Sequence, residues 1–173
     1  MPTFYLSSLS ETEQLATSLA TVLTEPKEAP VQGITIALSG TLGAGKTQFV
    51  KFLAKALHVP SDQITSPTFV LAQTYHGSRK LVHLDTYRLR DEEEFLELGV
   101  EEFFESEAIV LIEWAEKVAA CLPEDHLALT IDLLSPTRRA FQWTSHGKHS
   151  GDLLKRLCDQ FIQDGFEEDS TKE

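Results

Sequence analysis

The sequence predicts an α/β fold with a mixed, mostly parallel sheet that is flanked by helices and includes one antiparallel hairpin. Apolar runs typical of buried strands, at 34–38 and 108–112, alternate with segments whose apolar residues recur at helical spacing. A glycine-rich turn joins the first of these strands directly to a helix. Two further strand candidates, 68–75 and 80–84, flank a polar turn at 76–79, a spacing typical of a hairpin.

The remaining elements follow from local patterns. Ser10 and Glu13 match a capping box and predict a helix over 11–23, preceded by a short strand. Other apolar patterns predict helices at 91–98, 114–121 and after 153, and strands at 127–133 and 140–144.

Composition and charge limit the class of protein. The chain has 173 residues, of which 42% are hydrophobic and 24% are charged, as in a soluble globular protein. No apolar run approaches the roughly 18 residues that a membrane span needs, and the first residues do not resemble a secretory signal. The net charge of −12 disfavours a stand-alone binder of DNA or RNA. We therefore expect a cytoplasmic protein that binds neither DNA nor a membrane.

The sequence indicates one domain followed by a short tail. Residues 1–163 are expected to form a single domain, and residues 164–173 an acidic, disordered tail with few apolar side chains. A further acidic group, 91–94 with Glu97, fits equally well a solvated helix face or a docking surface for a basic partner.

The motif with the clearest chemistry is a phosphate-binding loop, which lies between an apolar strand and an amphipathic helix. Its residues are, in order, Gly40, Thr41, Leu42, Gly43, Ala44, Gly45, Lys46 and Thr47. The run fits the pattern G-x-x-x-x-G-K-[ST], in which backbone amides and the positive end of the helix surround a phosphate. Lys46 can reach the β- and γ-phosphates and the Thr47 hydroxyl can ligate Mg²⁺, so the sequence predicts a P-loop NTPase.

Two acidic residues, Asp85 and Glu113, each end an apolar run, as expected of the acid that holds Mg²⁺ in such a site. Ligands bind at the carboxyl ends of strands in open α/β sheets, so both could face the phosphates, although either could instead cap a following helix. We interpret Asp132 as an outward-facing strand residue and His83 as a core histidine.

The hydroxyls of Thr65, Ser66 and Thr68 follow the phosphate-loop helix. They could respond to a γ-phosphate, as switch loops do, or simply form a Ser-Pro turn. Four arginines could contact phosphates, although arginines on loops are more often surface residues. These are Arg88, Arg90, Arg138 and Arg139.

The base of the nucleotide is predicted from what the sequence lacks. Guanine-specific P-loop proteins usually read the base with an Asn-Lys-x-Asp segment, and this chain contains no asparagine. It also lacks an Asp-x-x-Gly segment at Asp85. ATP with Mg²⁺ is therefore the expected ligand.

Four segments in this order resemble one family, the TsaE (YjeE) ATPases of bacteria, and the resemblance covers roughly residues 4–147. They are Gly-Thr-Leu-Gly-Ala-Gly-Lys-Thr (40–47), Ser-Pro-Thr-Phe (66–69), His-Leu-Asp-Thr-Tyr-Arg-Leu (83–89) and Ile-Glu-Trp (112–114). The phosphate loop alone is generic, whereas the last two segments together are far more specific.

The resemblance implies a small P-loop ATPase with a seven-stranded mixed sheet. In it, Lys46 and the loop amides would hold the phosphates, Thr47 and Glu113 would coordinate Mg²⁺, and Asp85 would take the Walker-B-like position. The switch-like loop would be 65–69.

The same resemblance implies which residues would lie near the nucleoside part of ATP. Arg138 would approach the nucleotide and the segment near Ser10 would pack by the adenine. Trp114 would fix Glu113 by packing, or would simply be a core tryptophan.

The resemblance also implies partners. Members of the family act on TsaB and TsaD in forming threonylcarbamoyladenosine in tRNA. In this family TsaD transfers the threonylcarbamoyl group, and ATP hydrolysis by TsaE would reset the complex. Contact with tRNA would be only indirect, which fits the acidic charge of this chain.

Two other functions use the same loop. A small-molecule kinase needs an acceptor pocket and usually a mobile lid, and no arginine-rich lid insertion stands out in the sequence. A nucleotide-dependent binding module would bind ATP with little turnover.

Overall fold

The computed structural model describes residues 1–25, 32–64 and 71–169. Its strands are β1 (Thr3–Leu6), β2 (Ile34–Ser39), β3 (Ala72–His76), β4 (Lys80–Asp85), β5 (Ile109–Glu113), β6 (Leu127–Leu133) and β7 (Arg139–Ser145). Its α-helices are α1 (Leu9–Thr24), α2 (Lys46–Ala56), α3 (Glu92–Leu96), α4 (Val100–Phe104) and α5 (Lys148–Gln163). A 3₁₀ helix spans Ala115–Cys121. Thr65, Ser66 and Thr68, the predicted switch-like loop, lie outside the described residues.

All seven strands form one sheet in the order β1-β7-β6-β2-β5-β4-β3. The four central strands run parallel, because β2 pairs with both β5 and β6, and β5 pairs with β4. The outer pairs are antiparallel: β1 with β7, β6 with β7, and β3 with β4. The predicted α/β fold is confirmed. The predicted hairpin is β3–β4, and β6 and β7 form a second antiparallel pair of consecutive strands.

Helices cover both faces of the sheet and separate its core into two clusters. Leu38 and Ile36 of β2 pack with buried residues of α1, α2 and α5, whereas Ala37 faces α3, α4 and the 3₁₀ helix. The central strands are therefore apolar on both sides, which explains why they read as continuous apolar runs rather than as alternating ones. No helix in the described ranges is long and apolar enough to cross a membrane.

The parallel arrangement places the functional candidates at one edge. β2 ends at Ser39 and runs into the phosphate loop, and β4 and β5 end at Asp85 and Glu113. Since parallel strands share a direction, the carboxyl ends of these three strands lie together. Open α/β sheets bind their ligands at this end of the strands. Strand order thus brings together residues that are far apart in the sequence.

The first helix begins two residues earlier than its sequence pattern predicts. Its N-cap is Ser8, whose Oγ accepts a 3.2 Å hydrogen bond from the amide of Glu11, and Oε2 of Glu11 accepts one of 2.7 Å from the amide of Ser7. Ser10 is exposed within the first turn. The predicted box of Ser10 and Glu13 is therefore wrong. Ser8 and Glu11 have the same spacing, and periodicity alone does not choose between the two.

The segment after α5 departs from the expectation of disorder over 164–169. Glu168 forms an antiparallel bridge with Phe4, and the amide of Asp169 donates to the carbonyl of Thr3 at 2.9 Å. The ring of Phe166 packs against that of Phe161 at 5.9 Å. The acidic composition gave no indication of these contacts, because backbone hydrogen bonds to β1 and one aromatic ring hold the segment.

The position of the first cap can be tested with two serines in the same turn. We expect Ser8→Ala to lower the free energy of unfolding by about 1 kcal/mol, because it leaves a helix amide without its acceptor. Ser10→Ala should change it by less than about 0.5 kcal/mol, since an exposed helical position favours alanine. Urea denaturation measures both. A larger loss in the Ser10 variant would contradict the assignment of the cap.

Candidate phosphate-binding site

The loop between β2 and α2 has the backbone geometry that surrounds a phosphate. Gly40, Gly43 and Gly45 all have positive φ, at 139°, 82° and 111°. A Cβ at Gly40 would lie 2.3 Å from the carbonyl oxygen of Ile131, so the strand next to β2 leaves no room for a side chain there. Gly45 is the N-cap of α2 and offers no side chain to the first helix amides. Those amides are available to an anion, which the helix dipole also attracts.

Lys46 is held inside the loop. Its Nζ donates to the carbonyl oxygens of Gly40 at 2.6 Å and Thr41 at 3.2 Å, and it lies 3.6 Å from the centre of the Trp114 ring. An ammonium group has three donors, so one remains for a phosphate oxygen. Burial lowers the pKa of Lys46, while the charge of Glu113 acts in the opposite direction. The position of the lysine is thus fixed by the carbonyls of its own loop and by the Trp114 ring.

The carboxylate of Glu113 lies at the centre of the site and is 1% exposed. Its Oε2 accepts a hydrogen bond of 2.7 Å from Oγ1 of Thr47, and its Oε1 lies 2.7 Å from Nε2 of His83. A buried carboxylate without hydrogen bonds is strongly unfavourable, so both contacts offset the loss of its hydration. The carboxylate consequently ties α2 to β4 and β5.

The spacing of these oxygens fits Mg²⁺. Mg²⁺ binds oxygens at about 2.0–2.1 Å in octahedral geometry, which places adjacent ligands about 2.9 Å apart. Oγ1 of Thr47 and Oε2 of Glu113, at 2.7 Å, are close to that separation. Mg²⁺ commonly takes one or two protein oxygens together with phosphate oxygens and water, so this pair beside the loop has the required chemistry.

Asp85 lies on the neighbouring strand, directly in register with Glu113. It is 5% exposed, and its Oδ1 accepts a hydrogen bond of 3.0 Å from the amide of Tyr87. Strand alternation places Asp85 on the same face as Leu81, which packs in the cluster that contains α2. The structure therefore brings Lys46, Asp85 and Glu113 to one end of the sheet, while Asp132 is exposed, as interpreted from the sequence.

The ring of Trp114 contacts the phosphate-loop lysine. The backbone of Trp114 is left-handed, with φ of 58°, a conformation that is costly for a bulky residue and concentrates at functional sites. The hydroxyl of Thr86 donates to the Trp114 carbonyl at 2.9 Å, which helps to hold this turn. Its ring contacts Tyr87 at 5.0 Å and faces the ammonium of Lys46. Such a cation–π contact favours the charged form of the lysine.

The adjacent residues Arg138 and Arg139, of which only the second belongs to β7, have different positions. Nε of Arg139 donates to the carbonyl of Ala44 at 2.8 Å, which anchors the phosphate loop. Arg138 instead lies over the ring of Tyr5, at 5.2 Å. It lines a cavity of about 770 Å³ together with Tyr5, Ser7 and the segment 164–169. The sheet register places this cavity at the same end as the loop, because Leu6 pairs with Arg139.

Ser10 does not line this cavity, although Ser7 and Glu11 around it do. Sequence reasoning missed two contacts of the site, those made by His83 and Arg139. Alternation was the available signal for His83, because it lies two residues before Asp85 and so points to the same face.

Comparison with known proteins identifies the family. A family model described as "Threonylcarbamoyl adenosine biosynthesis protein TsaE" matches residues 6–141. The chain belongs to the TsaE family. The protein of that name from Rickettsia conorii is 36% identical over 161 residues, covering 92% of this chain and 86% of its own.

Other members of the TsaE family are similarly close. The Treponema pallidum protein is 42% identical over 108 residues, covering 62% of this chain and 79% of its own. Both relatives are named tRNA threonylcarbamoyladenosine biosynthesis protein TsaE. The crystal structure of Bacillus subtilis YdiB superposes with a TM-score of 0.72 at 28% identity, covering 92% of this chain and 97% of that one.

Two glycines of the loop provide a test of its geometry. Gly43→Ala should lower the free energy of unfolding by about 1 kcal/mol, because its Cβ meets nothing within 4 Å and only the backbone is strained. Gly40→Ala should lower it by about 3 kcal/mol or more, because a clash with Ile131 is added. Equal losses in denaturant titrations would show that the close approach of β6 is not the constraint.

Proposed function

We propose that this protein binds and hydrolyses ATP as a cytoplasmic subunit of the machinery that forms threonylcarbamoyladenosine in tRNA, acting on a complex of TsaB and TsaD. The observation that carries the proposal is the convergence of Lys46, Thr47 and Glu113 beside a glycine loop at a helix start. Membership of the TsaE family supports the pathway, because its relatives are named for the biosynthesis of this nucleoside.

ATP binding follows from the donors that the loop presents. The free amides at the start of α2 and the third donor of Lys46 would hold the β- and γ-phosphates. Thr47 and Glu113 would hold Mg²⁺, which neutralises phosphate charge when it is bound. The contact of Lys46 with loop carbonyls keeps the lysine in place, so little reorganisation is needed on binding.

Hydrolysis requires a water aligned with the γ-phosphate. Asp85 and Glu113 are the acids at the ends of neighbouring strands and are the candidates to orient that water and the metal. We assign to Thr65, Ser66 and Thr68 the response to the γ-phosphate. TsaB and TsaD would complete the site, so that turnover depends on partners.

The nucleoside would lie on the side of β1. The cavity beside Arg138 and Tyr5 opens at the same end of the sheet as the loop, and both an arginine and an aromatic ring can pack on a base. We retain Ser10 and Arg138 as nucleotide-binding candidates, since the first turn of α1 borders this cavity.

The affinity for the partners would depend on whether ATP or ADP is bound. A ligand shifts a conformational equilibrium only by its difference in affinity for the two states, so the ATP and ADP forms must bind TsaB and TsaD differently. The net charge of −12 favours docking on proteins over direct contact with tRNA.

Lysine substitutions on α2 test the binding site. Lys46→Ala should weaken ATP binding about 100-fold or more, because charge-assisted bonds to phosphate are lost. Lys55→Ala is the matched control on the same helix, since its contact with Glu13 is at the surface, and it should change affinity less than about twofold. Isothermal titration calorimetry measures both. Normal ATP turnover by the Lys46 variant with TsaB and TsaD would exclude the site.

Carboxylate substitutions separate binding from hydrolysis. Glu113→Gln should reduce phosphate release in the presence of TsaB and TsaD by about 100-fold or more, yet weaken ATP binding by less than about tenfold. Asp132→Asn, at an exposed acid near the same sheet edge, should match the wild type in both measurements. An equal loss of binding and hydrolysis in the Glu113 variant would argue against its role in the chemical step.

The rival functions differ in their product. Phosphate release that depends on TsaB and TsaD supports the proposal, whereas transfer of labelled phosphate to a metabolite would indicate a kinase. ATP binding without release, even with both partners, would indicate a binding module.

A further inference from the structure

The side chain of His83 contacts the same carboxylate as Thr47, from the opposite side. It belongs to β4, is 1% exposed, and its Nε2 lies 2.7 Å from Oε1 of Glu113. The other carboxylate oxygen, Oε2, accepts from Thr47 at the mouth of the phosphate loop. His83 is therefore in position to act on the site without touching a phosphate.

The direction of this hydrogen bond follows from chemistry. An ionised carboxylate only accepts, so Nε2 of His83 carries the proton and donates, whether the ring is neutral or cationic. Nδ1 is buried and has no hydrogen-bond partner among the residues that the structure describes. Within that part of the chain, Glu113 is thus the one group to which the ring is bonded.

Fixing one oxygen of a carboxylate fixes the other. The terminal torsion of a glutamate side chain is soft, so the carboxylate plane is set by its hydrogen bonds rather than by its own rotamer preference. In the parallel pairing of β4 and β5, His83 faces Leu111 and is one alternation short of Glu113. His83 and Glu113 are therefore diagonal neighbours on adjacent strands. In this arrangement Nε2 of His83 meets Oε1 of Glu113, and Oε2 of Glu113 is left to accept from Thr47.

We propose that His83 is a positioning residue, which holds Glu113 in the orientation that binds a divalent cation next to Thr47. This rests on the proposed function, because the cation arrives with the nucleotide. Groups that donate hydrogen bonds to metal ligands commonly change metal affinity 10–100-fold when they are removed. The rival explanation is purely structural, namely that His83 only compensates the burial of Glu113.

Two amide variants distinguish these explanations. In His83→Gln, the side-chain amide can reach the place of Nε2, whereas in His83→Asn it reaches only the place of Nδ1. Both keep a polar group of similar character in the core, and they differ in whether Glu113 receives a donor. Each purified variant is compared with the wild type in two measurements: ADP affinity in excess EDTA by calorimetry, and binding of Mn²⁺ to the protein saturated with ADP by electron paramagnetic resonance.

We expect the affinity for ADP in EDTA to agree within about twofold among all three proteins. The Asn variant should need about 10–100-fold more Mn²⁺ for half-saturation, and the Gln variant should stay within about threefold of the wild type. Equal Mn²⁺ binding by the Asn variant and the wild type would overturn the proposal. So would an equal loss in the two variants, or a parallel loss of ADP binding in EDTA, since both indicate general damage.

The same measurements distinguish failure of the proposed function from failure of the role assigned to His83. If wild-type protein bound neither ADP nor Mn²⁺ with ADP, the nucleotide site itself would be wrong. If the wild type bound both and the two variants behaved identically, only the role of His83 would be rejected. Should the Asn variant not fold, His83→Gln still tests the inference, because a Gln variant with a large loss of Mn²⁺ affinity and unchanged ADP affinity in EDTA contradicts it.

Discussion

The buried carboxylate of Glu113 is the constraint on which the rest of the site depends. It sits at the end of a central strand with almost no solvent contact, and it bonds Thr47 of α2 and His83 of β4. An ionised group in this environment is tolerated only with its hydrogen bonds complete, so the helix and both strands must be in register before the site exists. The carboxylate that is suited to bind a metal therefore has its hydrogen bonds complete only when the sheet and α2 are correctly assembled.

The phosphate loop has a comparable double role. Its glycines permit both the approach of a phosphate and the approach of β6, since Gly40 lies against the carbonyl of Ile131. Arg139 of β7 then bonds the loop at Ala44 from the outside. Binding geometry and sheet packing thus share the same few atoms, which limits the substitutions that the loop tolerates without loss of stability.

Much of this could be predicted from sequence, and the exceptions share a cause. The loop follows from a local pattern, and the central strands follow from their apolar runs. Which serine caps α1 did not follow, because Ser8 and Ser10 both fit a box and the choice depends on where the chain leaves β1. The contact of His83 with Glu113 depends on the pairing of two strands distant in sequence. Local periodicity shows which face a residue occupies but not which neighbour it meets there.

The order of the strands in the sheet has a consequence for synthesis on the ribosome. β1 is made first, but its hydrogen-bonding partners are β7 on one side and Glu168 on the other. In a nascent chain β1 therefore stays without its sheet partner until β7 has been synthesised. The pairings among β2, β4 and β5 join strands that are closer in sequence, whereas the pairing of β1 with β7 closes the longest loop in the sheet and costs the most chain entropy.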